Sequence, residues 1–394
     1  MTDPFRQAQW EHDRRQRRQH PDGWEPGVDW RGDHGAVTVG PLEQQPSGWE
    51  WALREWGLDP AEVEVVEPVQ LRAWDAPLGS GETARLYYYR LSVRSRVAGD
   101  RPDVDALIRR INGHRKKPPA ANGHSRALVV ALSDWQVGKA DGDGLEGTVD
   151  RVLDRIGMVQ DRERELRRAG RPVGMLVAAC LGDLVESCDS HYPMQTFGVQ
   201  AHRREQARIT RRLLVKALTE WAGVFPRVLV PVVGGNHGEN RRDGKAFTAF
   251  GDNDDVAIPE QAAEILSANE DAYGHVGFRL PERDLTQTVD VAGTIVGLAH
   301  GHQAKRGGST PPQKVWSWWS GQAMGQQPVG DADVLLTGHY HHLIVQQAGA
   351  RTHIQAPALD GGSEWWTHQS GQDAPPGMLT LTVDADGWDD LKVL

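Results

Sequence analysis

From residue 126 onward, short apolar runs alternate with longer segments in which apolar residues recur at helical spacing. The helical pattern is clearest in segment 148–166, where Val152, Ile156 and Val159 share one face, and in segment 205–225. Five apolar runs have the length and composition of buried strands: 127–132, 175–181, 228–233, 294–299 and 333–336. Strands that alternate with helices predict an α/β fold with right-handed crossovers between parallel strands.

Each of these predicted strands is closely followed by a short polar block. The blocks are rich in Asp, Asn, Gln and His: Asp134-Trp135-Gln136, Gly182-Asp183, Gly235-Asn236-His237, His300-Gly301-His302 and Gly338-His339-Tyr340-His341. Carboxylates bring negative charge, imidazoles bring nitrogen donors and amide oxygens complete a ligand shell. Because ligands of α/β sheets gather at the carboxyl ends of strands, the blocks predict a two-metal hydrolytic site there.

Segment 1–98 has a different character, with seven tryptophans and no such block. An alternating stretch at 84–93 predicts a strand, and segment 47–55 predicts a short helix capped by Ser47. We interpret 1–98 as a small α+β module, or as an extended wrap around the second domain. Its tryptophans are expected to fill a core, with stacking on nucleic-acid bases as the alternative.

Segment 99–125 predicts a linker to a catalytic domain at 126–394. It carries five basic residues before two prolines and a run of small residues: Arg109, Arg110, Arg115, Lys116 and Lys117. Charge followed by proline and small residues cannot build a core, which favours a mobile connection. A basic strip that touches a phosphate backbone is the alternative.

Composition and charge argue against several classes of protein, among them general nucleic-acid coats, disulfide-rich proteins and membrane-spanning proteins. With 394 residues, of which 39% are hydrophobic, the chain can bury a large core. The net charge of −10 argues against a surface that binds nucleic acid throughout, although not against a local basic groove. Cys180 and Cys188 form neither a disulfide framework nor a zinc clip. No apolar run approaches the ~20 residues of a membrane span and segment 1–18 is polar, so we expect a cytoplasmic protein without a membrane partner.

The ordered set of blocks resembles the signature of the calcineurin-like metallophosphoesterases, which runs D-x-H, G-D, G-N-H-[D/E], H and G-H-x-H. The resemblance covers the chain from residue 126 to its end. It implies the layered fold of that family, a central β-sandwich flanked by helices. It also implies hydrolysis of phosphoester bonds by a hydroxide that bridges two divalent metal ions.

The resemblance assigns metal ligands to seven positions. The first ion would bind Asp134, Gln136 and His341. The second ion would bind Asn236, His300 and His339. Asp183 would bridge the two ions and so take part in catalysis, because one carboxylate can donate an oxygen to each ion.

Two histidines beside these ligands have further roles by the same resemblance. His237 takes the position of the general acid, which gives a proton to the leaving oxygen; an ordinary pKa of about 6.5 suits an imidazole to that task. His302 competes with His300 for one ligand role. The resemblance favours His300 at the strand end, and His302 is then expected to support a ligand or contact the substrate.

The sequence departs from the family signature at two positions. Gln136 stands where histidine is usual, and its amide oxygen is a harder and weaker ligand. Mn²⁺ or Mg²⁺, which prefer oxygen donors, would then be favoured over Zn²⁺, with Fe²⁺ as another candidate. Gly238 stands where an acidic residue usually follows the G-N-H block. Glu239, one position later, is a candidate to orient His237 in its place.

Basic residues on the loops after two of the blocks are candidates to hold a substrate phosphate. They are Arg241, Arg242, Lys245 and Lys305. Segment 187–200 follows Asp183 without regular periodicity, and its His191, Tyr192 and Phe197 are candidates to line the pocket.

The segment from Ser133 to Lys139 is similar to the S-D-x-H-x-G-K opening of SbcD-type DNA repair nucleases, and also to phosphoesterases of actinobacteria and their phages. The leading hypothesis is therefore an Mn²⁺-dependent phosphodiesterase that acts as an exo- or endonuclease on DNA ends or single strands. A phosphatase or phosphodiesterase for small nucleotides is the first alternative. A weakly active, metal-binding subunit that docks on DNA is the second.

The resemblance to SbcD-type nucleases also suggests partners. Those enzymes usually work with a separate coiled-coil ATPase, and this sequence has neither a heptad run nor a P-loop motif. Such an ATPase would have to be another protein, and a homodimer is compatible with the sequence.

Overall fold

The structure, a computed structural model, describes residues 21, 23–31, 34–44, 46–77, 83–95, 119–120, 123–189, 191, 195–362, 367 and 374–394. The chain divides into two compact units, within 1–100 and 101–394. The five basic residues of the predicted linker lie outside the described residues. The domain bounds at 98 and 125 therefore stay predictions.

The N-terminal unit contains a four-stranded antiparallel sheet with the strand order β1-β2-β4-β3. Its elements are β1 (Gly27–Arg31), β2 (His34–Leu42), α1 (Glu50–Glu55), β3 (Val63–Pro77) and β4 (Thr83–Ser95). The strand predicted at 84–93 is confirmed as part of β4. One face of the sheet packs against α1, where Val37, Leu91 and Leu53 share a buried cluster.

The helix predicted at 47–55 is present but begins three residues later, at Glu50. The prediction that Ser47 caps this helix was wrong. Trp49 is the residue before the first helical residue, and its side chain accepts no backbone hydrogen bond. The indole N–H of Trp51 instead donates to the carbonyl of Gly48 at 2.8 Å. Trp49, Trp51 and Trp56 pack against the buried cluster, as expected of core tryptophans.

The second unit is built on two larger sheets. The first has six strands in the order β10-β7-β6-β5-β16-β17: β5 (Ala127–Ser133), β6 (Met175–Gly182), β7 (Val228–Pro231), β10 (Val276–Arg279), β16 (Leu379–Asp384) and β17 (Gly387–Val393). The second has five in the order β11-β12-β13-β15-β14: β11 (Thr286–Val291), β12 (Thr294–Ala299), β13 (Val334–Thr337), β14 (Ile344–Ala348) and β15 (Arg351–Gln355). A short hairpin is formed by β8 (Arg241–Arg242) and β9 (Lys245–Ala246).

Helices connect these strands. They are α2 (Gly144–Arg168), α3 (Arg203–Ala222), α4 (Asp254–Ser267), α5 (Glu270–Tyr273) and α6 (Pro311–Met324). The two helices predicted at 148–166 and 205–225 correspond to α2 and α3. Strands β5, β6, β7 and β10 pair in parallel, so the predicted α/β class is confirmed.

Strand β5 is buried along its whole length because both of its faces are covered. Leu128, Val130 and Leu132 belong to a buried cluster that includes residues of α2 and α3. Val129 and its alternate neighbours on the other face belong to a cluster shared with the second sheet. On the far face of that sheet, Trp319 of α6 lies in a further buried cluster, so this tryptophan fills a core.

This arrangement brings the polar blocks together at one edge. Strands β5, β6 and β7 are neighbours in the first sheet, and β12 and β13 are neighbours in the second. All five blocks follow the carboxyl ends of these strands, as the sequence predicts. Among the residues that the structure describes, no helix combines the length and apolar character that crossing a bilayer requires.

Candidate metal centre

The polar blocks turn sharply as they leave their strands. Five predicted ligands have left-handed backbone angles that are uncommon outside glycine: Asp134, Gln136, Asp183, His339 and His341, with φ between 42° and 74°. Such conformations persist where the surrounding structure enforces them and cluster at functional sites. Here the backbone of Asp134 donates to the carbonyl of Gly182 at 3.1 Å and that of Gln136 to the carbonyl of Asp183 at 3.0 Å. The first two blocks therefore hold each other in place.

Three donors converge as metal ligands do: Asp183, His300 and His339. Together with Asn236, the ligand that the family resemblance adds, we call them the second subsite. Ligand atoms of Asp183, His300 and His339 lie within 4.8 Å of one another. His300 Nε2 is 2.8 Å from Asp183 Oδ2 without the geometry of a hydrogen bond. Asn236 Oδ1 is buried and has no hydrogen-bond partner among the described residues. Buried polar atoms are rarely left so, and this donor set fits a divalent ion.

A hydrogen bond at Nδ1 orients the imidazole ring of His300. Nδ1 lies 2.7 Å from the carbonyl oxygen of Leu181, which can only accept a hydrogen bond. In the neutral ring the proton is therefore on Nδ1, and Nε2 keeps the lone pair that a metal ion needs. His302 lies beside this group, with its ring centroid 5.4 Å from that of His300, but its Nε2 is 3.7 Å from Glu239 Oε1 and it is not among the three converging ligands. The geometry thus favours His300 over His302 as the ligand.

The other predicted ligands form the first subsite: Asp134, Gln136 and His341. Asp134 is fully buried and accepts the backbone N–H of His339 at 3.1–3.2 Å. His341 Nε2 lies 3.4 Å from Asp134 Oδ1. The side-chain oxygen of Gln136 accepts a hydrogen bond from Lys139 Nζ at 3.1 Å, and Lys139 also pairs with the carboxylate of Asp360. A buried ammonium therefore lies among the donors of this subsite.

Asp255, at the start of α4, fixes the backbone beneath the second subsite. Its carboxylate accepts the backbone N–H groups of Asp183 and Leu184 at 2.8 Å and of Gly235 at 2.9 Å. Burial, aided by the charge of Asp183, raises the pKa of Asp255 to about 7 against the effect of these three donors. Sequence reasoning missed this residue, because an acidic residue near the start of a helix is common without any further role.

His237 is held from three directions. Its backbone N–H donates to Asp183 Oδ1 at 2.7 Å. Its Nδ1 lies 2.9 Å from the carbonyl oxygen of Glu186 and 3.4 Å from the carboxylate of the same residue. Its Nε2 is 3.4 Å from the amide nitrogen of Gln136, and the ring of His191 stacks on it with 4.8 Å between centroids. Tyr192 and the side chain of Phe197 lie outside the described residues.

The departure at Gly238 has a structural explanation. A β-carbon at Gly238 would collide with the side chain of Asn253 and lie 2.8 Å from Asp255 Oδ2, so no acidic residue fits there. The suggestion that Glu239 orients His237 was wrong, because Glu239 pairs with Arg241 at 2.8 Å instead. Glu186 supplies that carboxylate. It follows Asp183 by three residues, but no spacing rule pointed to it.

The pKa values of three imidazoles near Asp183 differ in direction: two are raised and one is lowered. Burial by itself lowers the pKa of His237, but the charges of Asp183 and Glu186 outweigh it and raise that pKa to about 10. Asp183 likewise overcomes the burial of His300 and raises its pKa to about 9. Burial and the charge of His300 lower the pKa of His339 to about 3. Since metal ions compete with protons for such donors, the carboxylate charge that raises these pKa values also favours a cation.

The four basic residues predicted to contact the substrate differ in their exposure and pairing. Arg241 is half-buried and its guanidinium is bound to Glu239, which is also the neighbour of His302. Arg242 and Lys245, on the β8–β9 hairpin, and Lys305, on the loop after His300, are exposed. The role of these basic residues as substrate contacts stays a prediction.

No protein-family model and no curated protein sequence matches this chain. Among solved structures it is similar to a Vps29 complexed with Zn²⁺ from Entamoeba histolytica, at 15% identity and a TM-score of 0.28, over 68% of this chain and 98% of that one. It is similar to a predicted phosphoesterase from Streptococcus pneumoniae, at 14% identity and a TM-score of 0.29, over 69% and 99%. It is also similar to an archaeal phosphodiesterase, at 12% identity and a TM-score of 0.30, over 68% and 99%. At such TM-scores these likenesses assign no role to any residue.

Proposed function

We propose that this chain is a metal-dependent phosphoester hydrolase of the calcineurin-like type, acting most readily on phosphodiester bonds of DNA ends or single strands. The observation that carries the proposal is the second subsite, where two imidazoles and the carboxylate of Asp183 converge and Asp183 accepts the backbone N–H of His237. The buried, unpartnered oxygen of Asn236 supports it. The layered sandwich of that family is part of the proposal. Its support is the buried cluster shared by the two sheets and the helices packed on their outer faces.

A divalent ion at this centre, for which Mn²⁺ is the leading candidate, would lower the pKa of an attacking water and neutralise charge on the phosphoryl oxygens. Asp183, Asn236, His300 and His339 would hold it. Whether a second ion joins it at Asp134, Gln136 and His341 depends on the ammonium beside them.

His237 is placed to protonate the leaving oxygen. Because Nδ1 is held by Glu186, Nε2 is the atom that faces the reaction. The ammonium of Lys139 fixes the amide oxygen of Gln136, so the amide N–H group, rather than an acceptor, faces Nε2.

The segment after the third block favours a nucleic-acid chain over a small nucleotide. Arg242 and Lys245 are exposed there, and the rings of Phe247 and Phe250 are 64% and 52% exposed. Cations attract a phosphate backbone, and exposed aromatic rings stack on unpaired bases at about 1–3 kcal/mol per base. A substrate of nucleotide size does not need such an extended surface.

A Mn²⁺ titration of hydrolysis tests the proposal. The substrates are end-labelled single- and double-stranded DNA and bis-p-nitrophenyl phosphate, and His237→Ala and the remote His275→Ala are compared with the wild type. DNA cleavage that His237→Ala loses and His275→Ala keeps is the expected result. Turnover of the small ester alone would favour a small-nucleotide enzyme, and metal binding without any turnover would favour a DNA-docking subunit.

The aromatic segment is tested by Phe247→Ala/Phe250→Ala, with the exposed Ile265→Ala on α4 as the matched control. We expect the double variant to weaken single-strand binding by at least about tenfold and to leave turnover of the small ester unchanged. Equal binding by the double variant and the control would contradict the nucleic-acid surface. The separate ATPase and the homodimer stay predictions.

A further inference from the structure

Lys139 is a buried lysine that no role in the proposed chemistry explains. Only 8% of the residue is exposed, and its Nζ contacts two side chains, the carboxylate of Asp360 and the amide oxygen of Gln136 at 3.1 Å. Asp360 is itself 2% exposed. Its position is fixed by the backbone N–H of Leu359, which donates to the carbonyl of Asp134 at 3.0 Å. The ion pair is therefore built into the floor of the first subsite.

The ammonium changes what Gln136 can do. The amide oxygen is the only good metal donor of this side chain, and it is bound to a cation. The amide nitrogen points at His237 Nε2, 3.4 Å away, and cannot ligate an ion. A divalent ion at Gln136 Oε1 would meet the positive charge of Lys139 across a single oxygen atom.

The other donors of the first subsite are also engaged within the protein. Asp134 accepts the hydroxyl of Ser133 and the backbone N–H of His339. His341 lies between two carboxylates, with Nε2 3.4 Å from Asp134 and Nδ1 3.8 Å from Asp360. In the second subsite, by contrast, Asn236 Oδ1 has no hydrogen-bond partner among the described residues, and His300 Nε2 faces the carboxylate of Asp183 at 2.8 Å.

We infer that the chain retains one divalent ion, at Asp183, Asn236, His300 and His339, and that the ammonium of Lys139 supplies the positive charge of the first subsite in place of a second ion. This inference rests on the proposed function, since it concerns the number of ions in the proposed metal centre. It departs from the two-ion expectation because the donors of the first subsite do not fit an ion while Lys139 is present.

Counting ions tests the inference without measuring turnover. The full chain is stripped with a chelator, dialysed to equilibrium against rising Mn²⁺ and analysed for metal content and by electron paramagnetic resonance. One ion per chain with the spectrum of an isolated Mn²⁺ is expected. Two ions per chain with an exchange-coupled spectrum would overturn the inference and leave the metal centre intact. No bound ion would overturn the inference and the proposed function together.

Lys139→Met tests whether the ammonium of Lys139 excludes the second ion, because methionine keeps an apolar side chain of similar length and removes the charge. The variant frees Gln136 and Asp360, and we expect it to bind close to two ions per chain. Lys392→Met is the matched control, since Lys392 pairs with Glu165 at 3.0 Å on the surface and should leave the count at one. A folded Lys139→Met that still binds one ion would contradict the role of the ammonium.

Removing one partner of a buried ion pair can prevent folding. Lys139→Met/Asp360→Asn removes both charges together and avoids an uncompensated carboxylate. A rise above one ion per chain, with a second site weaker than in Lys139→Met, supports the inference, and an unchanged count of one contradicts it. The wild-type count decides the stoichiometry whether or not either variant folds.

Discussion

The two subsites share an edge of the fold and similar donor types, but their charged and polar groups are partnered in different ways. Around Asp183 the donors converge, with 2.8 Å between His300 Nε2 and the carboxylate, and the buried Asn236 Oδ1 lacks a hydrogen-bond partner among the described residues. Around Gln136 the donors are already bound to Lys139, whose charge is matched by Asp360. Converging donors thus mark one subsite, and a buried ion pair between Lys139 and Asp360 marks the other. Similar residue types at similar strand ends therefore do not guarantee equal metal sites.

The largest effect should come from Asp183→Asn, because Asp183 contacts both His300 and the backbone of His237. We expect loss of the bound ion and a fall in turnover of about 10³-fold or more. Metal analysis and a hydrolysis assay would measure the two effects. The exposed Asp284→Asn is the control. Near-normal activity of Asp183→Asn would show that neither subsite carries the chemistry.

A direct test of the comparison is the pair His300→Ala and His341→Ala, which removes one imidazole from each subsite. If one ion binds at Asp183, His300→Ala should weaken Mn²⁺ binding by about 100-fold or more, while His341→Ala should change it by less than about tenfold. Calorimetric titration would measure both affinities. Equal losses in the two variants would mean that the subsites fill together.

A smaller effect is expected from Asp255→Asn, which replaces one acceptor oxygen by an N–H donor beneath the second subsite. At least one of the three bound N–H groups would lose its partner, at a cost of about 1–3 kcal/mol in the free energy of unfolding. Urea unfolding of the metal-free protein would measure it. Asp254→Asn is the neighbouring control, because Asp254 forms only a partly exposed pair with Arg203 at 2.7 Å. A loss of similar size in the control would remove the assigned role of Asp255.

An effect no larger than that of Asp255→Asn concerns acid stability at a residue outside the proposed metal donors. His353 in β15 is fully buried, with Nε2 2.9 Å from Thr337 Oγ1, and burial lowers its pKa to about 4. The unfolded chain takes up this proton near pH 6.5, so stability is lost as the pH falls from about 6.5 to about 4, by at most about 3 kcal/mol. His353→Gln should flatten this part of the pH dependence of urea unfolding in the metal-free protein. If His353→Gln leaves the slope of unfolding free energy against pH unchanged, the loss of stability at acid pH arises at the two subsites instead.

The residues that could be predicted are those with a local pattern. The strand before Asp134 is an apolar run, and the block after it contains the donor types of a metal site, so both follow from a few adjacent residues. The family signature added an order to these blocks and predicted which of them meet. It also predicted a ligand role for Gln136, which stays a prediction; the structure shows the side-chain oxygen of Gln136 bound to Lys139.

The five strands, the polar blocks at their ends and the mixed α/β class follow from local sequence, because periodicity and strand ends are properties of neighbouring residues. The folded chain was needed to show that Glu186 holds His237, that Asp255 binds three backbone groups and that Asp360 meets Lys139. Asp360 and Lys139 are 221 residues apart, and the helix start that carries Asp255 looks like any other. Such partners are chosen by the need to pair buried charges and backbone donors, and that need arises only once the sheets have packed.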